Sequence, residues 1–361
     1  MKTPINLLKI LILFPQLCWA SSYSITDLGW VGWPASIFDS NDSGSATGQM
    51  TAYHGNTTAM YFDGANFSNI GNLENINYYT SSARGINSSN QVTGSSDISY
   101  YSTIRSRAFV WDNGTFTDLG VLEGHESSGG RDINDSGVVV GTMHTSKGET
   151  RGFIYENGVM EQLMGLNGKH IEPFAINNLG QFVGTSSASV ESTHAFIGSG
   201  SEIQDLGTLG GNHSWAIHIN DLGAVVGGAE TLQGYRHAFI WKDGVMSDLG
   251  TLGGFQSQAY SINSMNQVVG WAENSKNIGE AFLYRDGEMF SLCGLVNCES
   301  YGWGSLNTYT INNNGEIFGT GYLDGSYHAF VVTPVPITSA IWLFGSGLVG
   351  IIGISRRRRK S

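Results

Sequence analysis

Residues 237–270 read HAFIWKDGVMSDLGTLGGFQSQAYSINSMNQVVG, and variants of this stretch recur along most of the chain. The clearest marker is an Asn followed seven residues later by a Gly. It falls at Asn41, Asn87, Asn134, Asn177, Asn220, Asn263 and Asn312, with the glycines at Gly48, Gly94, Gly141, Gly184, Gly227, Gly270 and Gly319. The intervals of 43–49 residues are those of a repeat architecture. Within each unit apolar and polar residues alternate, and Gly, Asn and Asp cluster between the runs, as short half-buried strands and tight hairpins require. The 237–270 unit therefore predicts strand AFIW, turn, strand ending DLG, then strand AYSIN, turn and strand QVVG.

Four strands per unit predicts an all-β fold, a seven-bladed β-propeller. The chain begins with a DLG strand at 23–29 and closes on an unaccompanied AFVV strand at 329–332. Neither end is a complete blade, and together they supply a composite closing blade. A solenoid would need polar capping units, and none is visible. An open β-rich array or two sandwiches is the competing arrangement.

His194-Ala-Phe, His237-Ala-Phe and His328-Ala-Phe, with the TLGG segments at 208–211 and 251–254, resemble the bacterial HAF repeat over most of 22–333. That resemblance implies no known chemistry.

Residues 1–20 predict a secretory signal: Lys2 and Lys9 bracket the start of an apolar run, and Cys18-Trp-Ala20 offers a cleavage position. Leu17 before Cys18 argues against a lipoprotein signal. At the other end, 337–354 is apolar and long enough for a short transmembrane helix, and Arg356, Arg357, Arg358, Arg359 and Lys360 follow it. The segment 334–361 resembles a PEP-CTERM sorting signal, with Pro334, Val335 and Pro336 where that family has Val-Pro-Glu-Pro. The Glu is missing, which bears on whether the helix is cleaved. The resemblance implies a Gram-negative host, processing by the membrane protease exosortase, and passage from an inner-membrane-anchored precursor to the cell surface or an exopolysaccharide matrix.

Seven of the 18 basic residues lie in these terminal segments, so the domain between keeps 11 against 30 acidic residues, a net charge of −19. Such a domain repels nucleic acid and anionic lipid. Cys293 and Cys298 are the cysteines left after the signal, and in an oxidising compartment they are expected to form a local disulfide.

The turns after AFxx strands and after the repeat Asn are short and uniform. The other connections are longer and vary: 72–82, 121–130, 166–173 and 294–307 on one side of the unit, and 49–57, 95–106, 142–150, 271–279 and 320–327 on the other. Varied loops on a rigid scaffold are where binding residues gather. The expected binding face carries Trp33, Tyr78, Tyr79, Trp215, Trp271, Tyr301 and Trp303, aromatic rings suited to sugars or protein partners. The competing view has these rings packing loops onto the sheets. The recurring His194, His237 and His328 are expected to be structural, bonding to a DLG aspartate or a repeat Asn. His54, His125, His144, His170 and His213 lack ligand spacing. Asp39-x-Asn41-Asp42-x-Gly44 and Asp132-x-Asn134-Asp135-x-Gly137 suggest calcium, but the closing Glu is absent and a plain turn explains both.

No nucleophile elbow, phosphate loop or carboxylate-pair motif is present. The expectation is a non-enzymatic surface or matrix protein that binds glycan or protein through its long-loop face, with no cofactor. The alternative is a propeller hydrolase or lyase acting on extracellular polysaccharide from its central channel. A purely structural matrix filler is the third option.

Overall fold

The computed structural model describes residues 23–30, 36–51, 56–76, 78–100, 103–167 and 170–335. The expected signal segment, the 337–354 helix, Trp33, Pro336 and Arg356–Arg359 lie outside them. Ser24–Thr333 forms one compact unit; of the other, Met1–Tyr23 with Pro334–Ser361, little is described. Among the described residues no helix is long and apolar enough to cross a membrane.

The unit is built from four-stranded antiparallel sheets. One runs Gly253–Ile262, Val268–Asn274, Gly279–Arg285, Glu288–Ser291, in sequence order from one edge to the other. Others repeat this from Ser36–Ser40 to Phe67–Gly71, from Ser81–Ile86 to Thr115–Gly120, and from His125–Ile133 to Val159–Gln162. An eight-stranded sheet from Ile171–Ile176 to Val245–Gly250 is two such sets, joined by the single parallel pair Thr193–His213. The last sheet takes Trp303–Ile311, Ile317–Leu323 and Ser326–Pro334 from the C-terminal end and Tyr23–Trp30 from the N-terminal end. Two expectations change. Sheets break after the DLG strand, so the 237–270 unit straddles two of them. And some strands are longer than the pattern suggested: Val92–Tyr100 with Thr103–Asp112, and His125–Ile133, consume much of the expected loops 95–106 and 121–130.

The repeat Asn locks the sheets together. Its Oδ1 accepts the main-chain N–H groups two and four residues on, closing the hairpin turn. Its Nδ2 donates across to the main-chain carbonyl of the next repeat Asn. The chain of bonds runs Asn41, Asn87, Asn134, Asn177, Asn220, Asn263, Asn312 and back to Asn41, at 2.8–3.2 Å. Each of these side chains is nearly buried, at 2–7% exposure. Asp could not donate, and Gln would place both groups one methylene too far out. The recurring Asn is thus a requirement of hydrogen-bond satisfaction.

The recurring Gly answers a different need. Every innermost strand carries a β-bulge two to four residues before its Asn, as between Ala83 and Gly85 or Gly130 and Asp132. Opposite it, a Cβ on the recurring Gly would fall 1.9–2.3 Å from a main-chain carbonyl oxygen of that strand. No side chain fits there.

At the opposite end a buried serine six residues before the Asn does the bridging. Ser128 Oγ accepts from Ala108 N and donates to Gly120 O; Ser214 and Ser257 do the same to the preceding HAF and DLG strands. The DLG aspartate caps the following glycine N–H at 2.7 Å. It also receives the HAF histidine: His194–Asp205 2.8 Å, His237–Asp248 2.7 Å and His328–Asp27 2.9 Å. The third pair ties the C-terminal strand to the N-terminal one, beside Ser24 Oγ–Thr333 Oγ1 at 2.9 Å. The histidines are structural, as expected. The core lies between neighbouring sheets. The HAF phenylalanines Phe109, Phe153, Phe196, Phe239, Phe282 and Phe330 are fully buried there, and Phe239 clusters with Ala216 of its own set of strands and with Ala175 and Val183 of the preceding set.

Replacing Asn220 by Ala is expected to cost about 1–3 kcal/mol, because the main-chain N–H groups of Leu222 and Ala224 and the carbonyl of Asn263 lose partners together. Asn220→Asp keeps the turn but loses the donor and buries a charge, so it should cost at least as much. Urea unfolding of the two variants checks both.

Candidate functional site

A β-bulge turns two successive side chains to the same side of a strand. Here that side is the central channel. The bulge residues Phe38, Arg84, Arg131, Phe174, Ile217, Tyr260 and Tyr309 form one layer lining a cavity of about 180 Å³. The residues that follow them, among them Asp39, Asp132, His218, Ser261 and Thr310, form a second layer. That second layer also floors a cavity of about 160 Å³ opening between the Asn turns.

The second layer bridges adjacent sheets. Asp39 accepts Ile86 N at 3.0 Å and Ser40 N at 2.8 Å. Asp132 accepts Ile176 N and Ile133 N, both at 2.8 Å. His218 Nδ1 and Ser261 Oγ take the corresponding N–H groups of Ile262 and Ile311, at 3.4 and 3.3 Å. Asp132 closes on Gly85, where an added Cβ would lie 2.7 Å from its Oδ1, and Asp39 accepts from the next residue, Ile86. Burial pushes Asp39 up to about 6 against the donated N–H groups. Burial, and then the charge of Asp39, push Asp132 up to about 8. Burial brings His218 down to about 4, so it is neutral.

In the first layer the Arg84 guanidinium lies 4.1 Å from the Phe38 ring centre and that of Arg131 5.5 Å from the Phe174 ring. Burial, then the Arg131 charge, lowers Arg84 to about 10. Burial also lowers Arg131, with Glu172 opposing.

The expected aromatic residues do not converge on one spot. Tyr78 and Tyr301 stand out from the long-loop end, 72% and 64% exposed. Tyr79 is partly covered, its hydroxyl 2.5 Å from Ser99 Oγ. Trp215 lies within the strand Gly210–Ile219, its Nε1 donating to Gln258 Oε1 at 2.9 Å and Arg236 stacked over its ring at 5.8 Å. Trp271 lies within Val268–Asn274, covered by Gly279, where a Cβ would fall 1.9 Å from the indole nitrogen. Trp303 is 5% exposed, edge-on to Phe330 at 5.6 Å, and presents no free ring face. It walls a separate groove of about 480 Å³ beside Asn274, Glu280 and Leu306. Cys293 and Cys298 are disulfide-bonded, with Cα atoms 4.9 Å apart. The 294–297 segment between them is mostly the helix Leu292–Val296, capped by Ser291 and leading into the turn that carries Tyr301. Sequence reasoning missed Phe255, stacked on Tyr235 at 5.1 Å, and the whole bulge layer. No cluster of three or more His, Cys, Asp or Glu able to hold a metal occurs among the described residues. The two calcium-like stretches are Asx turns, with Asn41 and Asn134 Oδ1 accepting from the main chain.

Asp39 and Asp132 ionise at higher pH in the fold than in the unfolded chain, whose carboxyls titrate near 3.8. The unfolded state therefore loses protons first as pH rises. The contribution to stability is complete below about pH 3.8 and declines through about 6 and 8. Each group adds a slope of at most about 1.4 kcal/mol per pH unit. Asp132→Asn is expected to flatten this decline between pH 6 and 8, read from urea midpoints against pH.

The chain resembles several solved structures at low identity. It matches YCF48 bound to a D1 peptide at TM-score 0.50 and 12% identity, covering 87% of this chain and 97% of that one. A prolyl endopeptidase matches at TM-score 0.54 and 9% identity, over 88% and 51% of the two chains. A puromycin-hydrolyzing peptidase of Mycobacterium tuberculosis matches at TM-score 0.50 and 10% identity, over 82% and 52%. The chain thus spans about half of each peptidase, and likeness at this identity speaks to the fold alone, a β-propeller. No curated protein matches significantly. The family described as a protein of unknown function (DUF3466) matches residues 18–212 and 174–329, most of the chain. The chain belongs to that family.

Proposed function

We propose that this is an exported, non-enzymatic binding protein of the cell surface or extracellular matrix, which holds a glycan or protein on its long-loop face. The observation that carries it is the exposure at that end of Tyr78, Tyr301 and the stacked Tyr235–Phe255 pair, aromatic side chains reaching solvent on a rigid scaffold. The scaffold is, on this reading, a seven-bladed ring with a composite closing blade. The return of the Asn bonds from Asn312 to Asn41 and the joining of Asp27 to His328 support that count. Export by the 1–20 signal, sorting through 334–361 by an exosortase and transient anchoring in the inner membrane complete the proposal, resting on the sequence patterns.

The second reading, an enzyme on extracellular polysaccharide, draws on the raised carboxyls Asp39 and Asp132 in the channel. Against it, the oxygens of both already accept main-chain N–H groups from their own or the next sheet, a bridging role that His218 and Ser261 share. A general acid needs a free oxygen facing substrate.

The test is retention of the 21–333 domain on the host's exopolysaccharide. Saturable retention that falls about tenfold or more in Tyr78→Ala and Tyr301→Ala, with unchanged melting temperature, is expected. Shortening of the polysaccharide during incubation, abolished by Asp132→Asn, would instead establish the enzyme. Retention indifferent to both tyrosines would move the binding face elsewhere.

A further inference from the structure

We propose that Arg84 and Arg131 form a binding site for the carboxylate of an acidic sugar residue, inside the channel. The proposal rests on the glycan-binding reading and names the ligand class. Both arginines are bulge residues of neighbouring sheets, so the backbone itself aims their guanidinium groups into the channel cavity of about 180 Å³. Neither makes a hydrogen bond or ion pair to a protein acceptor among the described residues. The Arg–carboxylate pairs there are Arg105–Glu126 and Arg151–Glu149. Glu172, the carboxylate that acts on Arg131, leans towards His170 at 3.4 Å. Asp39 and Asp132 line the same cavity but spend their oxygens on main-chain N–H groups. Two guanidinium groups that repel one another, partly withdrawn from water, thus have no carboxylate within hydrogen-bond reach among the described residues, a cost that a bound anion reduces.

The surroundings select the kind of anion. Guanidinium forks match a planar carboxylate with paired hydrogen bonds. The faces of Phe38 and Phe174 back the forks, and Tyr260 and Tyr309 line the same cavity, rings of a kind that stacks on a sugar. Next to the forks, an adjoining pocket of about 180 Å³ is walled by Ser95, Ser127, Thr142 and His144, further partners for ring hydroxyls. The acidic balance of the domain elsewhere makes this the place where an acidic glycan meets positive charge.

The experiment is calorimetric titration of the full chain with glucuronate and short oligogalacturonates, against neutral oligosaccharides of equal length and against inorganic phosphate. Uronates are expected to bind saturably, at least about tenfold tighter than neutral sugars or phosphate, and Arg84→Gln or Arg131→Gln should weaken them about tenfold or more. Arg→Lys at either position should also weaken them, because the fork is lost. The ligand-free double Gln variant should melt no lower than the parent, since repulsion is relieved; a drop in melting temperature with uronate affinity unchanged would mark the arginines as braces and overturn the site. Phosphate binding as tightly as uronate would overturn the sugar-acid class. A measurement that needs no variant is protection of Arg84 and Arg131 from a dicarbonyl reagent, mapped by mass spectrometry: uronate should protect both, and lack of protection would refute the proposal. Retention of neutral polysaccharide through Tyr301 without uronate binding would refute this inference alone. Uronate binding that depends on the arginines but is unaffected by Tyr301→Ala would support it while removing the long-loop face.

Discussion

The structure depends on one hydrogen bond made repeatedly: a buried asparagine amide giving its proton to the main-chain carbonyl of its counterpart in the next sheet. A four-stranded sheet has two faces to bury and two edges to protect. The Asn turn fixes the end of each inner strand, and the cross-bond then sets where the neighbouring strand must end. Buried phenylalanines fill the space between sheets, but dispersion is non-directional. Position along the channel comes from the amide.

The β-bulge is the second constraint, and it connects fold to chemistry. It costs one unpaired residue per inner strand, and the recurring glycine gives the room to make it. In return each strand turns two consecutive positions to the channel, although at Arg84–Gly85 only the first carries a side chain. One layer is used to stitch sheets, by whichever acceptor is present: carboxylate, imidazole or hydroxyl. The other layer is free of that duty and varies from Phe to Arg to Tyr. The division explains why raised carboxyls here do not by themselves mark a catalytic pair.

Much of the architecture was legible because its causes are local. Asn at fixed spacing, Asn-Gly and Asp-Gly turns, the DLG cap and the HAF strand each act within a few residues. The pairing of His194, His237 and His328 with the DLG aspartates could be anticipated for the same reason. Sheet boundaries were not legible, since the link after DLG looks like any other connection. Nor was the burial of Trp303, which depends on Phe330 across the sheet, or the covering of Trp271 by Gly279. The channel layer left a trace that could have been found: the position three before each repeat Asn varies, while the position one before it is Ile in all but Ser40.

The closing sheet has a temporal consequence. Three of its strands come from Trp303–Pro334, and its fourth, Tyr23–Trp30, precedes every other described strand in the chain. Every other sheet is contiguous in sequence and can assemble as it emerges. The leading strand must wait, its edge unpaired, until Ser326–Pro334 arrives. A chain arrested before that point holds finished sheets but lacks this one, so the pairing of Tyr23–Trp30 reports that Ser326–Pro334 has been reached.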